Sequence, residues 1–102
     1  MNNCYVVLEG ERPVQVFFDA EEASAYGEEL LNINENQTKE EYGIEDDAAA
    51  AYQNGYDGGL VEVVSIDFDS ISEDQEEYTV STSTGDVDIW MEDIYRLLDK
   101  KE

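Results

Sequence analysis

The stretch between Lys39 and Arg96 constrains the fold most strongly, because it contains seventeen Asp and Glu residues and no basic residue. The whole chain of 102 residues has 27 acids, five bases and a formal net charge of −22. A small soluble domain ordinarily has a net charge of about 2–8 in magnitude. Such a surplus of one sign repels itself and opposes the compact state at low salt. A folded form therefore needs a substantial apolar core.

The apolar residues are numerous enough for such a core. They make up 41% of the chain and include seven tyrosines, three phenylalanines and one tryptophan. Acidic disordered segments, in contrast, contain few aromatic or β-branched residues. The length is close to that of a common single domain. We therefore predict one acidic globular domain that spans residues 1–102.

Alternating apolar and polar residues predict a β-hairpin at the start of the chain, with strands over 4–8 and 14–18. Asp19 is then placed to cap a helix, three residues before a glutamate. The apolar stripe of this helix consists of Ala23, Tyr26, Gly27, Leu30 and Leu31. The Asn-rich segment 32–38 is expected to end the helix.

Two further helices are predicted. The first is weaker and covers residues 39–51, with Gly43 interrupting its start. The second covers residues 90–101 at the end of the sequence. Its apolar face is expected to contain Trp90, Ile94, Leu97 and Leu98.

The region between these helices predicts the remaining strands. A strand over 60–69 is expected to direct Asp67 and Asp69 outward, and a polar connection follows it. Extended structure resumes over 78–82, with a short strand over 87–89 after a turn. The order ββα(α)ββ(β)α predicts an α+β fold. We expect a small two-layer domain, in which an antiparallel sheet of four to five strands packs against two to three helices.

The composition argues against catalysis. The chain has no histidine, which is the commonest proton shuttle in active sites. Cys4 is the only cysteine and is expected to face the core, and a reactive thiolate would need a positive neighbourhood that this sequence does not supply. Closely spaced carboxylates do not indicate an acid–base pair of an active site here, because such pairs arise by chance among 27 acids. We therefore expect no catalytic residue and no enzymatic activity.

The segment 67–78 begins like a calcium-binding loop but does not continue as one. Asp67 and Asp69 stand at the first and third loop positions. An EF-hand loop then needs an oxygen ligand, a glycine and a bidentate glutamate. Ile71, Ser72 and Tyr78 occupy those positions. We therefore expect no dedicated metal site, and no cofactor is implied.

The charge also excludes classes of partner. Direct nucleic-acid binding needs Lys and Arg to neutralise phosphates, and anionic membrane surfaces attract basic segments in the same way. A lone cysteine favours a reducing compartment. The sequence shows neither a signal peptide nor an apolar stretch near the roughly 20 residues that span a bilayer. We expect a cytoplasmic protein whose partner is a basic protein surface.

The acids are expected to line up on the second helix, on the outer side of a strand and in the polar connection. Side chains at alternate positions of a strand lie about 6.6 Å apart on one face, and helix side chains at i and i+4 lie about 6 Å apart. In duplex DNA each strand has one phosphate per ~3.4 Å of the helix axis. Carboxylates can therefore approach phosphate density, and exposed tyrosines can anchor an interface. The predicted partner-binding residues are Glu40, Glu41, Tyr42, Glu45, Asp46, Asp47, Tyr56, Asp57, Asp67, Asp69, Glu73, Asp74, Glu76 and Glu77.

Size, charge and the acidic tracts KEEYGIEDD and DFDSISEDQEE give the chain a resemblance to a class of inhibitors. It resembles the acidic DNA-mimic proteins that phages and mobile elements encode against host defence, which include anti-restriction and anti-CRISPR proteins. Those proteins share no single fold or sequence motif. The resemblance implies binding and inhibition of a basic, DNA-binding protein, such as a defence nuclease or CRISPR effector, in the cytoplasm of a bacterial or archaeal host.

Two alternatives stay open at this point. The chain is also compatible with an immunity or adaptor protein that neutralises a basic toxin or enzyme without imitating DNA. A further alternative is a small regulatory domain of a halophilic or mobile-element host, in which surface acids serve salt adaptation. The sequence does not distinguish a monomer from a dimer.

Overall fold

The computed structural model describes residues 3–72, 74–83 and 85–100, and these form five β-strands and three α-helices. The strands are β1 (Asn3–Glu9), β2 (Arg12–Phe17), β3 (Val61–Asp67), β4 (Glu77–Thr82) and β5 (Gly85–Trp90). The helices are α1 (Ala20–Tyr42), α2 (Asp47–Tyr56) and α3 (Met91–Asp99), and a 3₁₀ turn covers Phe68–Ser70. The predicted α+β class and the order of the elements are confirmed.

The five strands divide between two antiparallel sheets rather than forming one. β1 is the central strand of a sheet in the order β2-β1-β3, and its Val6 pairs with Val16 on one side and Val64 on the other. β4 and β5 form a separate hairpin, in which Val80 pairs with Val87. The hairpin packs beside β3 and is joined to α3.

The three-stranded sheet is covered on both faces, because β1 buries Val6, Val7 and Leu8 in succession. Successive strand residues point to opposite faces. Val7 shares its face with Val63 of β3, against which the backbone of Gly27 in α1 lies. The opposite face carries the main core, where residues of β1, β2 and β3 meet Val80, Val87, Ile89, Met91 and Ile94. The sheet therefore lies between α1 and a layer made of the hairpin and α3.

α1 continues well beyond the end expected from its Asn-rich segment. It includes residues 39–42, which the sequence assigned to a second helix, and it ends at Tyr42. Gly43 adopts the left-handed conformation at φ 65°, and its N–H donates to the carbonyl of Lys39. A glycine in this conformation ends a helix without the steric cost that other residues incur. Gly43 therefore terminates α1, and α2 begins only at Asp47.

Long-range contacts hold the Asn-rich part of α1 in the helix. The Asn34 side chain donates to the Glu9 carboxylate at 2.9 Å and to the Gly59 carbonyl at 3.0 Å. One turn later, the buried Thr38 donates its hydroxyl to the Asn34 carbonyl. The last turns of α1 also pack against α2. These contacts offset the weak helix propensity of asparagine and threonine.

Two predicted strand and helix boundaries near the site are wrong. β3 ends at Asp67, so Asp69 lies in the 3₁₀ turn and not on the outer side of a strand. β5 extends to Trp90, so Trp90 precedes α3 instead of joining its apolar face. The alternation along β5 buries Val87 and Ile89 and directs Trp90 outward, leaving it 54% exposed.

Candidate protein-binding surface

The C-terminal part of α1 carries a first group of acids to one end of the molecule. The molecule measures 48 × 26 × 18 Å along its principal axes. Asn34 contacts Glu9 at the end of β1, and the remaining eight residues of α1 extend about 12 Å further. α2 packs against this extension. We call this region the α1–α2 end, and its predicted site residues are Glu40, Glu41, Tyr42, Glu45, Asp46, Asp47, Tyr56 and Asp57.

All eight residues of the α1–α2 end are exposed, but their positions differ from those predicted. Glu40 and Glu41 belong to the last turn of α1, not to the second helix. Glu45 lies in the connection between the helices, and Asp46 is the N-cap of α2. Asp47 is the first residue of α2, where the positive end of the helix dipole stabilises a negatively charged side chain.

Several carboxylates at the α1–α2 end are already engaged. Asp46 accepts a hydrogen bond from the N–H of Ala49, 3.0 Å away. The Lys39 ammonium donates to Asp47, and this hydrogen bond lowers the pKa of Asp47 and raises the pKa of Lys39. These acids therefore stabilise the ends of the helices as well as facing solvent.

Asp57 joins the two helices at the same end. It accepts from the Tyr42 hydroxyl at 3.0 Å and from the Gln53 amide at 3.2 Å. The hydrogen bond to Asp57 raises the pKa of Tyr42, because it stabilises the protonated phenol. Among the predicted acids here, only Glu40, Glu41 and Glu45 make no side-chain hydrogen bond or ion pair within the described residues.

The second predicted group lies at the opposite end of β3. Asp67 pairs in register with Asn3 at the far end of the sheet and accepts from the N–H of Asp69 at 3.0 Å. Seven residues of β3 separate this end from the α1–α2 end, a span of about 20 Å. The second group consists of Asp67, Asp69, Asp74, Glu76 and Glu77, all exposed, while Glu73 lies outside the described residues. The predicted site residues therefore form two separate patches.

A groove joins the second group to α3. The volume of this groove is about 710 Å³. At one edge the Met91 N–H donates to the Glu76 carbonyl at 2.8 Å, which ties the start of α3 to the connection before β4. Trp90 and Tyr95 line it and are 54% and 48% exposed. The acids that line it are Asp74, Glu76, Glu92 and Asp99. Sequence reasoning did not identify Trp90, Tyr95, Glu92 or Asp99 as site residues.

The outer face of the β4–β5 hairpin continues this acidic surface. Trp90 pairs in register with Glu77, and the next outward residues of β5 are Asp88 and Asp86. Thr79 donates its hydroxyl to Asp88 at 2.6 Å, and Ser81 donates to Asp86 at 3.1 Å. A pattern in the sequence could have identified this face. Outward Asp86, Asp88 and Trp90 alternate along β5 with buried Val87 and Ile89.

Trp90 also lines a second groove, of about 440 Å³. The charged residues that line this groove are Glu11, Arg12, Asp86, Asp88 and Asp93. Trp90 therefore lines two grooves that both contain carboxylates. We call Trp90 and the two grooves beside it the Trp90 face.

Most basic side chains of the described residues form ion pairs with neighbouring acids of the same chain. Arg12 is 3.5 Å from Glu9, and Arg96 is 3.5 Å from Glu92 and 3.4 Å from Asp93. These pairs are on the surface, where each stabilises the fold by at most about 1 kcal/mol. They leave the surface strongly negative on both patches.

Cys4 lies in the core, as the sequence predicts. Its side chain is fully buried, and burial raises the pKa of the thiol to about 11. The thiol therefore stays protonated at neutral pH and is a poor nucleophile. Among residues 3–72, 74–83 and 85–100, no three Asp, Glu or Cys side chains are grouped so as to hold a metal ion. Within the same residues, no helix has the length and apolar character needed to cross a membrane.

Comparison with protein-family models, with curated proteins and with solved structures finds no match in any of the three. The functional interpretation therefore depends on the two acidic patches and on the aromatic residues exposed beside them.

Proposed function

We propose that this protein binds the basic DNA-binding surface of another protein and inhibits it by presenting carboxylates in place of phosphates. The observation that carries the proposal is the exposure of the acids between residues 40 and 95. Apart from the partly buried Glu62 and Asp93, every acid of this stretch that the structure describes is exposed. Acids that served solubility alone would be interspersed with lysine or arginine on the surface.

The geometry of the hairpin supports this proposal. Asp86 and Asp88 lie on the same face of β5, about 6.6 Å apart along the strand. The hydroxyls of Thr79 and Ser81 hold their side chains in place. A carboxylate can still accept further hydrogen bonds, and a side chain that is already ordered loses less entropy on binding.

Competition for the DNA site is the mechanism that follows from these features. Lysine and arginine side chains that normally hold phosphates pair instead with carboxylates of this protein. Opposite potentials steer the two proteins together, so association is fast at low salt and slower at high salt. The bound inhibitor then excludes DNA from the occupied groove.

Release by duplex DNA tests the proposal. The full chain is immobilised and exposed to a nuclease-treated bacterial lysate at low salt, and the captured protein is washed with duplex DNA or with polyglutamate at equal charge. We expect duplex DNA to release the partner at a lower concentration than polyglutamate. The purified partner should bind DNA, and it should lose that binding when the full chain is added.

The same experiment separates DNA mimicry from immunity-type binding. A partner that stays bound in excess duplex DNA, or that binds DNA equally well with and without the inhibitor, contradicts the proposal. That result would favour a protein that neutralises a basic toxin or enzyme at a surface unrelated to DNA.

A further inference from the structure

Trp90 lines both acidic grooves of the Trp90 face. It is 54% exposed and lines both the groove of about 710 Å³ and the groove of about 440 Å³. Tyr95 of α3 adds a second aromatic ring to the larger groove. Aromatic residues at the centre of an interface often supply most of its binding free energy. Carboxylates surround this aromatic pair: Glu76, Glu92 and Asp99 in the larger groove, and Asp86 and Asp88 in the smaller.

We propose that the Trp90 face is the docking surface for arginine side chains of the partner's DNA-binding surface. One guanidinium stacks on the indole of Trp90 while the carboxylates of the grooves accept its N–H groups. Arginine fits this surface better than lysine, because its planar group stacks on aromatic rings and pairs with carboxylates through two hydrogen bonds. This inference rests on the proposed function and specifies where the partner binds.

Charge complementarity points to a cationic occupant. The acids of the larger groove come from α3 and from the connection before β4, so they approach Trp90 from two sides. Arg96, the chain's own guanidinium in this groove, lies 3.5 Å from Glu92 and 3.4 Å from Asp93. Glu76 and Asp99 make no side-chain hydrogen bond or ion pair within the described residues. These two carboxylates remain to accept hydrogen bonds from an incoming arginine.

The α1–α2 end offers a less suitable docking surface for such a side chain. Three of its six predicted acids are engaged, because Asp46 caps α2, Asp47 pairs with Lys39 and Asp57 accepts from Tyr42. Its most exposed tyrosines, Tyr52 and Tyr56, are 78% and 81% exposed and do not line the grooves described here. A ring that lies outside these grooves buries less of a partner side chain than Trp90, which lines both of them.

The single tryptophan of the chain provides a direct readout. The full-length protein is titrated at low salt with octa-arginine or octa-lysine, and the fluorescence of Trp90 is recorded. We expect octa-arginine to change the emission in a saturable manner. We also expect it to bind at least about threefold more tightly than octa-lysine, because guanidinium stacks more favourably on an indole.

Charge-matched variants then locate the binding site. The double variant Glu76→Gln/Asp99→Asn removes two charges from the larger groove, and Glu28→Gln/Glu29→Gln removes two from exposed positions of α1. We expect the groove variant to lose affinity for octa-arginine by about fivefold or more and the α1 control by less than about twofold. Both pairs are exposed, so the fold should persist, and circular dichroism checks this.

A second pair of variants tests the aromatic anchor by calorimetry. Trp90→Ala should weaken octa-arginine binding by about fivefold or more. Phe18→Ala removes another exposed aromatic side chain, one that lines neither groove, and should leave the affinity within about twofold.

Three outcomes would overturn the inference. Equal losses in the groove and α1 variants would show that only total charge matters. A larger loss in Glu40→Gln/Glu41→Gln than in the groove variant would place docking at the α1–α2 end. Unchanged affinity in Trp90→Ala would exclude the indole as the anchor. Each of these leaves the proposed function intact, whereas no binding of either cationic peptide at low salt contradicts the proposed function as well.

Discussion

Asn54 and Gly59 tie the end of α2 to the end of the three-stranded sheet. Asn54 is only 3% exposed, and its amide donates to the Gly59 carbonyl at 3.0 Å. The Gly59 N–H donates in turn to the Asn54 carbonyl at 2.9 Å. The same Gly59 carbonyl accepts from Asn34 of α1. A Cβ at residue 59 would lie 2.0 Å from the Asn54 side-chain oxygen, so only glycine allows this arrangement.

Gly59→Ala should therefore destabilise the protein. The Asn54 amide would have to move and lose its partner, and leaving a buried polar group unsatisfied costs about 1–3 kcal/mol. The free energy of unfolding in urea measures the effect. Gly55→Ala is the matched control, because a Cβ there meets no atom within 4 Å and Gly55 lies inside α2. That control should stabilise the protein by about 0.5–1 kcal/mol, and equal stabilities for the two variants would contradict the account of Asn54.

At the scale of elements, local patterns predict the start of α1 better than its end. The Asp19 cap and the apolar stripe around Tyr26 identify the start of α1, and the structure places the Asp19 carboxylate on the Glu21 N–H at 3.0 Å. The end at Tyr42 depends on contacts of Asn34 with residues 25 positions away in sequence. Local propensity contains no information about such partners.

The candidate site also combines features that local sequence predicts with features that depend on distant contacts. Strand alternation predicts that Asp67 faces solvent, and it does. The Trp90 face depends on how β5, α3 and the connection before β4 meet. Helical spacing instead predicts Trp90 on the apolar face of the last helix, with Ile94 and Leu97. The grooves are a property of the packed elements, so the pattern of one element does not predict them.

The cap of α2 gives a test at this scale. Asp46→Ala removes the side chain that accepts from the Ala49 N–H, and loss of such a cap costs about 0.5–2 kcal/mol. We expect reduced stability in urea and faster amide hydrogen exchange in the first turn of α2. Glu45→Ala is the control, since Glu45 is exposed and makes no described side-chain bond, and it should change stability by less than about 0.5 kcal/mol. Equal effects in the two variants would show that charge near the helix end, and not the cap, is responsible.

For the molecule as a whole, the elongated shape limits the repulsion among its acids. The α1–α2 end and the second acidic group are separated by the length of β3, about 20 Å. At an ionic strength of about 0.15 M, charges this far apart are screened from each other, because the Debye length is about 8 Å. Repulsion within each patch persists at closer range. The fold therefore tolerates a net charge of −22 at moderate salt but loses stability when salt is removed.

Thermal stability should follow this screening. We expect the melting temperature in NaCl to rise steeply up to about 0.3 M and then level off below about 1 M, where the Debye length has fallen to about 3 Å. Glu28→Lys/Glu29→Lys reverses two exposed charges on α1, so this variant should melt higher at low salt and respond less to added NaCl. A melting temperature that keeps rising steeply beyond about 1 M would require more than screening. That outcome would favour a protein adapted to high salt over one that keeps its carboxylates for a basic partner.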